Sequence, residues 1–155
     1  MKNKLLMGII SLLLGGLILI SLIIPWWNVS VSLFGFAGVF YPLSFPAMPK
    51  NYPVYLSYIT GILVLISGIT SITFGIIMIS KKKGRNANLG SVVASIIGII
   101  GFILYVIFIY KISPDANGNI FNSSGLFESY SIQAGFYIEA VSSVILFVSG
   151  LVSMA

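Results

Sequence analysis

Four long apolar stretches divide the chain, running approximately from Leu5 to Ile24, Tyr55 to Ser80, Leu89 to Tyr110 and Ala134 to Ala155. Each is close to the ~20 residues that a helix needs to cross about 30 Å of hydrocarbon. Hydrocarbon offers no water to backbone polar groups, so segments of this kind are expected to be helical. The intervals are a first loop at 25–54, a short turn at 81–88 and a second loop at 111–133. In the first loop the period changes. After Pro25, Val29, Val31 and Leu33 alternate with Asn28, Ser30 and Ser32, the two-residue repeat of a half-buried strand. Gly35 and Gly38 are expected to bracket a turn, with Val39 to Tyr41 returning as a second strand. A lone hairpin is marginal in water. A third partner is therefore expected from the second loop, where Asp115-Ala116-Asn117-Gly118 is turn-forming and Asn119 to Asn122 can extend beside the hairpin. The expected fold is an all-α membrane protein: one domain over residues 1–155, a four-helix transmembrane bundle with a small extracellular β-containing cap.

Within the helices, small residues recur every seven positions. Gly8 and Gly15 mark the first helix, Gly61, Gly68 and Gly75 the second, Ser91 and Gly98 the third, and Gly135, Ser142 and Ser149 the fourth. A period of seven keeps one seam toward a neighbour, and small residues let backbones approach closely where lipid supplies no hydrophobic drive. Gly61, Gly68, Gly75, Gly98 and Gly135 are thus the expected packing positions, within one bundle or between copies of the chain.

Composition points to the same solvent. Of 155 residues, 58% are hydrophobic and 7% charged, against roughly 25% charged in ordinary soluble domains, and the mean hydropathy is +1.10. Charge also sets an orientation. Lys2 and Lys4 precede the first helix and Lys81, Lys82, Lys83 and Arg85 fill the 81–88 turn, whereas the other loops hold only Lys50 and Lys111. The positive-inside rule puts both termini and this turn in the cytoplasm of a multi-pass cell-membrane protein. The four basic residues of the turn are also a candidate contact for anionic lipid. The first apolar run exceeds a signal-peptide core and lacks a small-x-small site before Pro25, so it reads as a retained helix. The two sequons, at Asn28 and Asn122, fall in the outward loops.

Candidate chemistry is sparse. There is no cysteine and no histidine, and the acids Asp115, Glu128 and Glu139 are scattered. Thiolate metal sites, thiol nucleophiles and the usual general base are excluded, and no catalytic residue, metal site or cofactor is expected. Glu139 stands apart, because it shares a helical face with Gly135 and Ser142. An ionisable group at membrane depth is by default a proton or cation site or a partner's anchor. The alternative is structural, with the carboxylate reaching headgroup water or pairing with Lys111 or Tyr137. The outer aromatics also carry two readings. Trp26 and Trp27 belong to a headgroup-level aromatic belt, and together with Phe34, Phe36, Phe40 and Tyr41 they form either an exposed contact surface or, for the phenylalanines and tyrosine, the cap's own core.

Four helices with cytoplasmic ends, a larger first outer loop that opens in Trp26 and Trp27 and alternates over 28–41, and a smaller second outer loop resemble the claudin-like tetraspan architecture. The paired cysteines characteristic of that family's first outer loop are not present. The resemblance implies a structural or accessory role: cell-surface contact, a paracellular barrier, or escort of a larger membrane complex. The expected function is association, not catalysis, with membrane lipids and another membrane protein or a second copy as partners and no nucleic acid. A small homomeric channel or proton-coupled carrier using Glu139 is the alternative.

Overall fold

The computed structural model describes residues 2–31, 36–43, 54–80, 85–112, 122–124 and 128–154. It is mostly helical, with helices α1 (Lys2–Ser21), α2 (Val54–Ser80), α3 (Arg85–Ile112) and α4 (Ala134–Met154). Strands β1 (Trp27–Val31) and β2 (Phe36–Phe40) lie between α1 and α2, and β3 (Asn122–Ser124) and β4 (Glu128–Ile132) lie between α3 and α4. Each helix packs against its sequence neighbour, and α4 closes the ring on α1. Three helical stretches, Val54–Ser80, Ala87–Lys111 and Ala134–Met154, are long and apolar enough to cross a membrane, and α1 contributes a shorter apolar stretch, Leu5–Ser21.

Beside apolar core residues such as Ile18, Val64, Met78 and Leu146, the bundle buries many small and polar side chains, and it leaves large apolar ones exposed along every helix. Along α2, Gly61, Gly68 and Gly75 are buried, while the isoleucine after each, Ile62, Ile69 and Ile76, is exposed. Leu13 and Ile20 of α1, Ile96 and Ile103 of α3 and Val144 and Val148 of α4 are likewise exposed, whereas Ser11, Ser67, Ser71, Ser91, Ser95 and Ser143 are buried. In water this distribution is inverted, because hydrophobic burial is the dominant favourable term of folding there.

Glycines explain why α1 and α2 sit so close. A Cβ on Gly75 would stand 2.9 Å from the carbonyl oxygen of Gly8 and 2.9 Å from the amide nitrogen of Leu12. One turn-pair along, a Cβ on Gly15 would stand 3.0 Å from the carbonyl oxygen of Gly68. The antiparallel register thus sets glycine against glycine twice. Between those crossings Ser71 Oγ donates to the Ser11 carbonyl at 2.7 Å, and the Ser11 hydroxyl lies 2.9 Å from that of Ser91 on α3. Not every position of the seven-residue repeat meets a helix. Gly61 receives the Pro42–Leu43 segment, which Ser57 Oγ secures by donating to the Pro42 carbonyl.

Helix α1 ends three residues before the expected boundary. Ser21 is its last residue, and the amides of Leu22, Ile23 and Ile24 bond back three residues, to Leu19, Ile20 and Ser21. This tighter winding is a common way to finish a helix, and the residue before a proline is pushed out of the helical region. Helix α3 is longer at both ends than the 89–110 stretch of strongest apolarity.

The four strands form one antiparallel sheet in the order β2-β1-β4-β3. Trp27 pairs with Phe40 on one side and Ile132 on the other, a row of three buried side chains, while Val29 behind it is buried too. Two details correct the sequence reading. Gly38 is not part of the turn; it lies within β2 opposite Val29. The strand that joins β1 is Glu128–Ile132, not Asn119 to Asn122, of which Asn122 instead opens the outer strand β3. The selected segment runs straight into α4, and backbone bonds fix it there: Gln133 N donates to Trp26 O and Gly135 N to Pro25 O, both at 2.9 Å. The proposed turn at Asp115 to Gly118 lies outside the described residues.

Candidate functional site

Helix α4 turns Gly135, Phe136, Glu139, Ser142, Ser143, Leu146 and Gly150 into the bundle, a spacing of three and four that makes one continuous face. On that face Glu139 is wholly buried. Ser143, one turn along the same helix, donates its hydroxyl to Glu139 Oε1 at 2.7 Å. Across the interface is Gly98 of α3. A Cβ there would lie 2.9 Å from Glu139 Oε1, 2.9 Å from Ser67 Oγ of α2, and in collision with Ser143 Oγ. Glycine at 98 is what lets oxygen atoms from two other helices meet over the α3 backbone. Ser67 Oγ itself donates to the Ala94 carbonyl at 2.7 Å, tying α2 to α3. Glu139 Oε2 is buried and has no hydrogen-bond partner among the described residues.

A layer of aromatic rings separates this carboxylate from the sheet. Trp26 meets Tyr105 and Phe136 edge-on, with ring centroids 4.9 and 5.8 Å apart, and Phe102 meets Phe136 at 5.9 Å. Phe136 precedes Glu139 by one turn, and Phe102 and Tyr105 follow Gly98 by one and two turns, so the rings stand on the sheet side of the carboxylate. The structural reading of Glu139 is therefore corrected. Its carboxylate neither reaches the surface nor pairs with Lys111 or Tyr137, both of which are exposed; the aromatic layer and the inward face of α4 hold it inside.

Away from that layer hydroxyl and amide contacts recur among apolar side chains such as Val64, Met78 and Leu146. Asn88 Nδ2 donates to the Ser153 carbonyl near the far end of the bundle, and the Ser11, Ser71 and Ser91 hydroxyls cluster between there and Gly98. On the sheet side, Thr60 Oγ1 donates to the Gly101 carbonyl at 3.0 Å. Polar or small residues thus line the inner face of α3 at almost every turn: Asn88, Ser91, Ser95, Gly98 and Gly101.

The candidate contact surface is corrected as well. Trp26, Trp27 and Phe40 are completely buried. The Trp26 indole nitrogen donates to the Ser21 carbonyl at 2.8 Å, and Trp27 packs on Phe40 with centroids 5.2 Å apart. They join sheet to bundle and belong to one core with Tyr105, Phe108, Ile109 and Phe136. For Phe40 this realises the core alternative. Tyr41 is half-buried, Phe36 is described in its backbone alone, and Phe34 lies outside the described residues. Gly135 serves the same junction, since a Cβ on it would stand 2.5 Å from the Ile24 carbonyl and 2.6 Å from the Trp26 ring. Of the basic turn, Arg85 opens α3, and Lys81, Lys82 and Lys83 lie outside the described residues.

Ser67, Ser143 and Tyr105 were not legible as site residues. Ser143 stands four positions from Glu139, a spacing visible in the sequence; Ser67 and Gly98 join only through the α2–α3 crossing. Among the described residues no three of His, Cys, Asp and Glu come together as a metal cage. The chemistry available at the site is a single carboxylate among hydroxyls. Comparison of the chain with protein-family models, with curated proteins and with solved structures finds no match.

Proposed function

We propose that the chain is a multi-pass membrane protein, its four helices crossing the bilayer with both termini and the basic turn in the cytoplasm, and that it acts as a structural or accessory component through association with other membrane proteins. The observation that carries this reading is the welded junction between sheet and bundle. Strand β1 and strand β4 flank the Trp26 to Gly135 crossing, which holds backbone bonds and a completely buried indole at once. A four-stranded platform held this firmly is suited to presenting a fixed outer surface. The inverted burial pattern supports lipid as the surrounding solvent, since exposed isoleucine, leucine and valine run along every helix. The likeness to claudin-like tetraspan proteins is part of this proposal and rests on the order of elements: one helix, a hairpin opening in two tryptophans, two helices, a second short pair of strands, one helix.

Purification of the tagged protein from its native host in mild detergent, with cross-linking and mass spectrometry, tests the reading. A protein recovered at fixed stoichiometry and cross-linked to the outer loops supports an accessory role. Recovery of the chain alone, monomeric and without cross-links to other proteins, overturns it. Self-linked oligomers shift the reading to a homomeric pore or carrier, which the buried Glu139 favours. In that case flux in liposomes is lost in Glu139→Gln and kept in Glu139→Asp.

A further inference from the structure

Among the described residues Asn88 Oδ1, the Tyr105 hydroxyl and Glu139 Oε2 are buried without a hydrogen-bond partner, and of these the carboxylate is the one that can hold a charge. Glu139 is wholly buried, its Oε1 accepts from Ser143, and its Oε2 has no partner. A carboxylate removed from water needs a compensating positive charge or proton, and the helices packed around it carry no basic residue within two turns of Gly98, Ser67 or Glu139 itself. The basic residues of these helices all stand at helix ends: Lys2 and Lys4 open α1, Arg85 opens α3 and Lys111 lies near its other end; of the tyrosines, Tyr55, Tyr58, Tyr110 and Tyr137 are exposed and Tyr105 belongs to the aromatic layer. Beside Gly98 three oxygens converge. Ser67 Oγ, Ser143 Oγ and Glu139 Oε1 all lie within 3 Å of the point where Gly98 lacks a side chain. Hydroxyl and carboxylate oxygens are the donors that hard cations take, and a serine hydroxyl can turn a lone pair toward an ion while its hydrogen points elsewhere.

Charge selects the ion. One carboxylate balances one positive charge, whereas calcium and magnesium sites recruit further carboxylates or waters, and none of the four helices carries an acid other than Glu139. We propose that Glu139, Ser143 and Ser67 form a binding site for a single monovalent alkali cation beside Gly98. The aromatic layer of Trp26, Tyr105 and Phe136 closes it toward the sheet, and the hydroxyls of Ser11, Ser71 and Ser91 continue the polar interior toward the opposite end of the bundle. The binding step is independent of the association proposed above and stands whether or not an ion is transported.

The test uses the full chain in detergent at constant ionic strength, replacing choline chloride stepwise by sodium chloride and, in parallel, by lithium and potassium chloride. Two quantities are read: the thermal unfolding midpoint, and modification of Glu139 by a hydrophobic carbodiimide, located by mass spectrometry. The expected result is a saturable rise in midpoint and a saturable protection of Glu139 by at least one of the three ions. Ser67→Ala keeps the carboxylate and is expected to need about tenfold more of that ion, the loss of roughly one charge-assisted contact. Gly98→Ala, which crowds all three oxygens, is expected to abolish protection. In Glu139→Gln the ion effect on the midpoint disappears. Equal midpoints and equal modification in all four salts overturn the proposal and leave a protonated carboxyl that serves only as a hydrogen-bond donor. An ion effect that survives unchanged in Glu139→Gln, or in Ser67→Ala should the former fail to fold, overturns it too.

Discussion

Gly75 and Gly16 lie in the same helix pair and respond in opposite ways to one added methyl group. At Gly75 the new Cβ meets backbone atoms of Gly8 and Leu12 at 2.9 Å, and neither can rotate away. Gly75→Ala is expected to destabilise the bundle by about 1–3 kcal/mol, the usual cost of forced overpacking. At Gly16 nothing lies within 4 Å, and Gly16→Ala is expected to be neutral or to stabilise by up to ~1 kcal/mol through helix propensity. Unfolding midpoints of the two variants in one detergent check the contrast; equal losses would show that the close α1–α2 approach is not what makes Gly75 necessary. Trp26 gives a second contrast. Trp26→Phe keeps a six-membered aromatic ring but loses the fused pyrrole and leaves the Ser21 carbonyl without its donor, the lost donor alone costing about 1–3 kcal/mol if that carbonyl stays buried. Trp26→Ala also empties the aromatic layer and is expected to cost about 3–5 kcal/mol, with both variants read by the same unfolding assay.

Elements meet through faces, and the faces of these helices are divided by task. The glycine crossings of α1 and α2 set distance, and the serines between them set register. Ser71→Ala removes the donor to the Ser11 carbonyl and a hydroxyl partner of Ser11, a loss of about 0.6–1.7 kcal/mol on the scale of interhelical bonds in membranes. Ser11 and Ser71 share these bonds, so the double variant is expected to lose less than the sum of the single ones; strict additivity in a double-mutant cycle would mean that the pair does not act as a unit. The seven-residue repeat was readable in the sequence because a periodic face belongs to one element. What each position touches was not readable. Gly68 and Gly75 meet α1, Gly61 meets Pro42 and Leu43, Gly98 meets the carboxylate of Glu139, and Gly135 meets the end of α1. The strands repeat the lesson. Alternation at Val29 and Val31 identified β1, and one step back it places Trp27 on the same buried side as Val29, although tryptophan after an apolar run is more often an interfacial residue. Which stretch of the second loop would pair with β1 depended on where α4 begins, since Gln133 and Gly135 bond to the chain around Trp26.

For the whole molecule, the proposed topology makes a direct prediction, and the absence of cysteine from the chain makes it simple to test. A single cysteine at Ser44→Cys is expected to react with a membrane-impermeant maleimide on intact cells. Lys82→Cys is expected to react only after permeabilisation, as the basic turn is assigned to the cytoplasm. The reverse pattern would invert the orientation, and labelling of both on intact cells would remove at least one crossing. At this scale the sequence by itself determined the four helices, the change to a two-residue period after Pro25, the repeat of small residues and the scarcity of catalytic side chains, because each is a property of local spacing or of composition. Only the tertiary structure decided that Trp26, Trp27 and Phe40 form a buried junction, that Glu128–Ile132 completes the sheet around β1, and that Glu139 and Ser143 meet Ser67 over Gly98. Each of those depends on two segments far apart in the chain arriving at one place, and a pattern along one element defines the face it offers without naming what will cover it.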